Sequence, residues 1–232
     1  MKNVLIFNGI SSADYGISVD CAGTFAIPES RVETAVIPGR NGEFITRDEG
    51  LFENVKLQYT GHIEKGFRAR YQEYMAAIAS SRGYNRLEDS AHPDAYRMGY
   101  FASEVIPKTG VFNESGKFQL TFNCRPERWL KSGEIARIFT SNGRIVNPTP
   151  FKARPIIRAY GSGTVAIAGK SISVSESNGY TDLYCEEEDA RKGTENRNLY
   201  VSGAYPVLPP GENEVRISGF SKVEIIPRWW TI

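Results

Sequence analysis

The chain has 232 residues and carries 28 Lys+Arg against 27 Asp+Glu, a formal net charge of +1. Hydrophobic residues at 41% and charged residues at 24% describe a globular chain of one large or two smaller domains, not a disordered one. Basic and acidic side chains balance in both halves, so neither half has the electrostatic source for tight binding to a phosphate backbone or an anionic membrane surface. The first apolar run, Val4-Leu5-Ile6-Phe7, is too short for a signal segment or a membrane span, and cytoplasmic synthesis is expected.

In chain order, Val4–Phe7 predicts a short strand that ends in the turn pair Asn8-Gly9. Asn54–Thr60 alternates polar and apolar, which places Val55, Leu57 and Tyr59 on one face of a half-buried strand. A helix is expected over about Phe67–Arg82, because Phe67, Tyr71, Tyr74, Met75 and Ile78 form one stripe of a 3.6-residue period. Gly83 suits the left-handed position just past its end. Ala95–Ser103 reads as a strand with Tyr96, Met98 and Tyr100 on one face. Lys117–Cys124 reads as another, with Phe118, Leu120, Phe122 and Cys124 inward.

The Gly-, Asn- and Pro-rich stretch from Ser141 to Pro150 marks the expected domain boundary. Seven short strands are expected after it: Pro155–Tyr160, Thr164–Ala168, Ser171–Ser175, Thr181–Glu186, Asn198–Ser202, Glu214–Ser218 and Lys222–Ile226. Turns at Gly161-Ser162-Gly163, Ala168-Gly169-Lys170, Asn178-Gly179 and Pro209-Pro210-Gly211 separate them. The inward pairs are Ile172/Val174, Leu183/Cys185, Leu199/Val201, Val215/Ile217 and Val223/Ile225. Strands of this length and spacing predict an antiparallel sandwich or jelly roll.

No constellation for catalysis emerges. Cys21, Cys124 and Cys185 are odd in number and widely spaced, and read as small buried hydrophobes. His62 and His92 belong to no metal motif. Glu186-Glu187-Glu188-Asp189 lacks calcium-loop spacing and reads as a solvated loop, and Gly39-Arg40-Asn41-Gly42 lacks phosphate-loop spacing and reads as a turn. No catalytic, cofactor-binding or metal residue is nominated, and a β-rich, two-domain binding or structural protein is the expectation.

Several fragments, met in order, carry a resemblance. They are Phe7-Asn8-Gly9-Ile10-Ser11-Ser12-Ala13-Asp14-Tyr15-Gly16, Pro38-Gly39-Arg40-Asn41-Gly42, Phe122-Asn123-Cys124-Arg125-Pro126, and Pro155-Ile156-Ile157 with Gly161-Ser162-Gly163. Pro206-Val207-Leu208-Pro209-Pro210-Gly211-Glu212-Asn213, Ser218-Gly219 and Pro227-Arg228-Trp229-Trp230 complete the series. Together they resemble the distal tail protein (Dit) family of long-tailed bacteriophages, the hub of the tail tip and baseplate.

The resemblance implies a mainly-β protein: an N-terminal β-rich belt domain with one embedded helix over residues 1–140, and a galectin-like β-sandwich over 150–232. The tail 227–232 packs on either domain, with one of Trp229 and Trp230 inward and the other meeting a partner or the other domain. The resemblance further implies a hexameric ring of the belt domains. This ring joins the tail-tube protein to a tail-associated fibre or lysin protein, with the tape-measure protein in its channel and receptor-binding components around it. Exposed edges of the first-half strands and protruding arms would supply the ring contacts. Cofactors, a membrane and specific nucleic-acid binding are not expected, and the place of action is the distal end of the virion tail after assembly in the host cytoplasm. The alternative is a carbohydrate-binding module, with Tyr180, Tyr184, Tyr200 and Trp229 as candidate sugar platforms.

Overall fold

A computed structural model describes residues 3–176 and 179–232, apart from the side chain of Val111. The expected turn at Asn178-Gly179 therefore lies partly outside the described residues. The chain is mainly β and divides into two compact units, residues 1–128 together with Ile232, and residues 129–231.

The first unit begins with the hairpin β1 (Leu5–Phe7) and β2 (Ile10–Ser11). Asn8 and Gly9 both take positive φ (51° and 78°), the geometry a two-residue hairpin turn needs to follow the strand twist. There follow β3 (Ser18–Asp20), β4 (Ser30–Val36), β5 (Glu43–Phe52) and β6 (Val55–Ile63). Helix α1 (Phe67–Ser80) leads into β7 (Asn85–Asp89), β8 (Ala95–Phe101), β9 (Lys108–Thr109) and the long β10 (Gly116–Leu130). One sheet runs β2-β1-β7-β8-β10-β6-β3, with β9 also on β10.

Alternation on β6 and β10 does what the sequence dictates. Val55, Leu57, Tyr59, Phe118, Leu120, Phe122 and Cys124 are all buried, and the two strands pair from Gly116↔Ile63 to Cys124↔Val55. The helix lays its stripe on this face: Phe67, Tyr74 and Ile78 are buried, and Tyr71 and Met75 are half-buried against the same core. The Phe118 ring is the anvil, meeting Tyr71 edge-on at 5.1 Å and Tyr74 at 6.4 Å. The helix ends at Ser80, because Ser81 is already extended; Gly83 is left-handed (φ 68°) but sits in the following turn, not at the cap.

Strand β8 keeps Tyr96, Met98 and Tyr100 on one face, as the alternation predicts, and that face is the half-exposed one. Its inward face is Ala95, Arg97 and Gly99, while Tyr96, Met98 and Tyr100 are half-exposed on the other side. The cause is space. A Cβ on Gly99 would lie 2.6 Å from Cys124 Sγ, so only the bare backbone lets β8 meet this part of β10.

The second unit contains β11 (Arg137–Phe139), β12 (Gly143–Asn147), β13 (Ile156–Tyr160), β14 (Gly163–Ile167) and β15 (Lys170–Val174). It continues with β16 (Tyr180–Tyr184), β17 (Asp189–Lys192), β18 (Glu195–Asn196), β19 (Val201–Gly203), β20 (Gly211–Ser218), β21 (Lys222–Ile226) and β22 (Trp230–Thr231). Two antiparallel sheets, β11-β21-β13-β16-β17-β18 and β12-β20-β14-β15-β19, bury their inner faces against one another, which makes a β-sandwich. Ile157, Leu183, Val223 and Ile225 come from one sheet and Val165, Ile167, Ile172 and Val215 from the other.

The division at 128/129 precedes the expected 141–150 boundary because the intervening residues are edge strands of the sandwich. β11 pairs with β21, and β12 with β20. Leu199 also departs from its expected inward place. Asn198–Tyr200 is a turn of 3-10 helix, and the Leu199 side chain stands 96% exposed.

Residues 227–231 of the C-terminal tail belong to the sandwich unit. Trp229 is buried in its core, and Trp230 stacks on Phe151 (centroids 4.2 Å apart) while its indole N–H donates to the Lys152 carbonyl at 2.9 Å. The second indole thus finds its partners inside the same unit, where another domain or a partner was expected to receive it.

Candidate assembly site

The first unit carries a feature its core does not explain. β4 and β5 pair only with each other, in register from Ser30↔Phe52 to Val36↔Glu43, with irregularities at Ser30/Val32 and Glu33/Thr34. Residues 29–51 are exposed along both strands. Gly39-Arg40-Asn41-Gly42 forms the tip, with Gly39 and Gly42 at φ 81° and 79° and the Arg40 N–H on the Ile37 carbonyl (3.1 Å). Val36 is 74% and Phe44 52% exposed, with Val32, Ile37, Ile45 and Leu51 also in the open. A two-stranded ribbon with no third strand and no core is marginal in water. This arm has the chemistry of a surface made to be covered.

Local polar contacts hold its register. Arg31 Nε donates to Glu53 Oε1 (2.6 Å), which keeps the Glu53 carboxyl below its usual range. Arg47 pairs with Glu49 along the strand and reaches Glu33 across it at 3.9 Å. The Glu53 N–H closes the base on the Glu29 carbonyl (2.8 Å).

The root of the arm is fastened by Asp89 at the end of β7. Its Oδ1 accepts the backbone N–H groups of Ala91 (2.9 Å) and His92 (3.0 Å), and its Oδ2 accepts the hydroxyls of Thr24 (2.7 Å) and Tyr59 (2.9 Å). Arg128 Nη2 donates to the Thr24 carbonyl at 2.9 Å. Residues 22–25, which lead into the arm, are therefore tied to β6, β7 and β10. His92 lies against the Phe25 ring (5.1 Å), and burial together with the nearby Arg128 charge lowers its pKa despite Asp89.

The residues considered for chemistry do not converge. Cys21, Cys124 and Cys185 are buried free thiols, pushed by burial up to about 11, 12 and 12 respectively, so each stays protonated at neutral pH. His62 lies on the outer face of β6, away from the His92 cluster's inward carboxylate. Among the described residues, no group of three or more His, Cys, Asp or Glu side chains has the arrangement to hold a metal ion; Glu186–Glu188 lie in a turn, and Asp189 opens β17. No helix among them is long and apolar enough to cross a membrane.

Of the four candidate sugar platforms one is buried, and each of the other three carries an arginine over its ring. Trp229 is core; Arg158 lies over Tyr180 (4.6 Å), Arg191 over Tyr184 (5.2 Å) and Arg197 over Tyr200 (4.1 Å). Across the outer face, Arg158 forks onto Asp182 with bonds of 2.6 and 2.9 Å. The expected turn at Gly39–Gly42 is present at the tip, but the sequence reading did not predict the strands β4 and β5 on either side of it, which show no consistent inward face.

No family model matches the chain, and no curated relative matches it. Solved structures do. The Dit protein of phage SPP1, described as a paradigm of the hub adsorption apparatus in phages infecting Gram-positive hosts, is 14% identical over 100% of both chains, with a TM-score of 0.76. A chain of the phage p2 baseplate in its activated conformation with Sr is 10% identical over 97% of this chain and 96% of that one, TM-score 0.56. Its counterpart with Ca is 10% identical over 97% of each, TM-score 0.55. The fold is thus that of phage hub and baseplate proteins. Over its full length it is the fold of a distal tail hub.

Proposed function

We propose that this chain is the structural hub of a long-tailed phage tail tip and acts without catalysis. Its first units close into a hexameric ring that joins the tail tube to the tail-associated fibre or lysin protein and other baseplate components. The tape-measure protein occupies the channel, receptor-binding components attach outside, and assembly takes place in the host cytoplasm. The observation that carries this reading is the arm, the two exposed strands β4 and β5 with apolar side chains along their flanks, on a chain whose fold matches a hub along its entire length. A ring needs a heterologous contact, one patch on each subunit seated on a different patch of the next. An arm that leaves its own core is such a patch.

Light scattering and negative-stain imaging at about 1 and about 100 μM test this, since a ring is drawn together by mass action. The full chain should form rings with a central hole, alone or with its tail-tube neighbour. A chain with residues 31–51 replaced by a short glycine linker should stay monomeric under both conditions. Rings formed equally well without the arm would overturn the reading.

A further inference from the structure

The sandwich has two kinds of edge. At one end, β18 is Glu195–Asn196, short and polar, which discourages pairing. At the other, β11 and β12 are the outermost strands of the two sheets, each with a partner on one side only. The seam between them is a groove of about 580 Å³ lined by Arg137, Ile138, Phe139, Arg144, Ile145 and Trp229, among others. Ile138 is 63% exposed, and Ile135 and Val146 beside it are exposed as well. Six apolar side chains and two arginines line this groove, and no carboxylate does. Arg144 shares its charge with Glu212 (2.8 Å), whereas Arg137 has no ion-pair partner among the described residues.

The turn that joins the two edges is built to stay put. Gly143 lies so close to the Phe139 ring that a Cβ there would come within 2.8 Å of it, and Asn142 Oδ1 accepts the Ile217 N–H at 2.9 Å. A rigid, unpaired strand edge beside an apolar groove is the receiving half of strand addition: the ladder supplies backbone hydrogen bonds and the groove selects side chains. The cationic lining sets the charge of what it selects.

We infer that the β11–β12 seam binds an extended, acidic segment of another tail protein, which adds as a strand to the β11 edge and places alternate apolar side chains against Ile138, Phe139 and Val146. The inference builds on the hub reading, but it is tested without ring formation. The full chain is titrated against a fluorescent peptide, Asp-Val-Thr-Ile-Thr-Val-Glu-Asp. Two controls accompany it: the same peptide with lysine at the acidic positions, and one with proline at its centre, which lacks the backbone donor. The acidic peptide should bind saturably, and both controls should bind at least about tenfold more weakly.

Arg137→Glu, an exposed substitution checked by an unchanged melting curve, should weaken the acidic peptide about tenfold and strengthen the lysine peptide. Equal binding of all three peptides, no binding up to about 1 mM, or an Arg137→Glu chain that binds the acidic peptide like the parent would each overturn the inference. So would the loss of self-association in that variant at unchanged peptide affinity, which would make the seam a contact between copies. Failure of the parent chain itself to form rings, with peptide binding intact, bears only on the hub reading.

Discussion

Asp89 shows how one side chain can organise a region. It is nearly buried and accepts four hydrogen bonds, two from backbone and two from hydroxyls on other elements. Asp89→Asn keeps the shape but replaces one acceptor oxygen by a donor facing N–H or O–H groups. It should cost about 2–3 kcal/mol in chemical denaturation. A midpoint within error of the parent would show that residues 22–25 are held by something else. His92 adds a pH term. Its folded pKa lies below the ordinary 6.5, so the unfolded chain takes up the proton first as pH falls. Stability should therefore decline as pH drops through about 6.5, and His92→Gln should flatten that part of the profile. A steeper decline in the variant would reverse the sign. None of this cluster could be read from spacing, since Thr24, Tyr59, Asp89, His92 and Arg128 meet only through the sheet. Arg97 was hidden for a related reason: alternation puts Tyr96, Met98 and Tyr100 on one face without saying which face is inward, and small Ala95 and bare Gly99 make room for Arg97 on the inner side.

At the scale of elements, what could be read was what periodicity controls. β6, β10 and α1 alternate or repeat against a single core, so their faces follow from their residues. Ile78, fully buried on the helix stripe, makes the sharpest check: Ile78→Asp should destabilise the first unit by about 4 kcal/mol or more, enough to abolish its cooperative melting transition. Retained melting would mean the stripe faces elsewhere. The arm and the edges β11 and β12 were not readable, because they are exposed on both faces or paired on one side. Pattern arguments need a buried face to detect. Leu199 failed on the opposite count: it continues an alternating pattern, but the local chain turns as 3-10 helix before the strand begins.

For the whole molecule, each unit has its own core of aromatic and branched side chains, and a fold shared with the SPP1 hub at 14% identity shows how few particular residues that arrangement requires. Independent cores make a separable prediction. Residues 129–231 expressed alone should fold and remain monomeric, and residues 1–128 should carry whatever self-association the full chain has, as read by light scattering. The reverse distribution would move the ring contact to the sandwich. The sequence placed the boundary later than the structure does because Gly, Asn and Pro also mark turns within a sandwich, and only the pairing of β11 with β21 reveals which kind they are.

If the arm makes the head-to-tail contact proposed above, it has one further consequence, for the order in which a ring is built. In any open arc of subunits joined head to tail, one arm is left without a seat, and only closure seats the last one. Each partial arc thus carries the same unmet contact whatever its length, while the closed ring carries none. In the proposed ring, completion would be a cliff, not a slope: arcs would be short-lived, rings would persist, and a mixed population of sizes would be the disfavoured state.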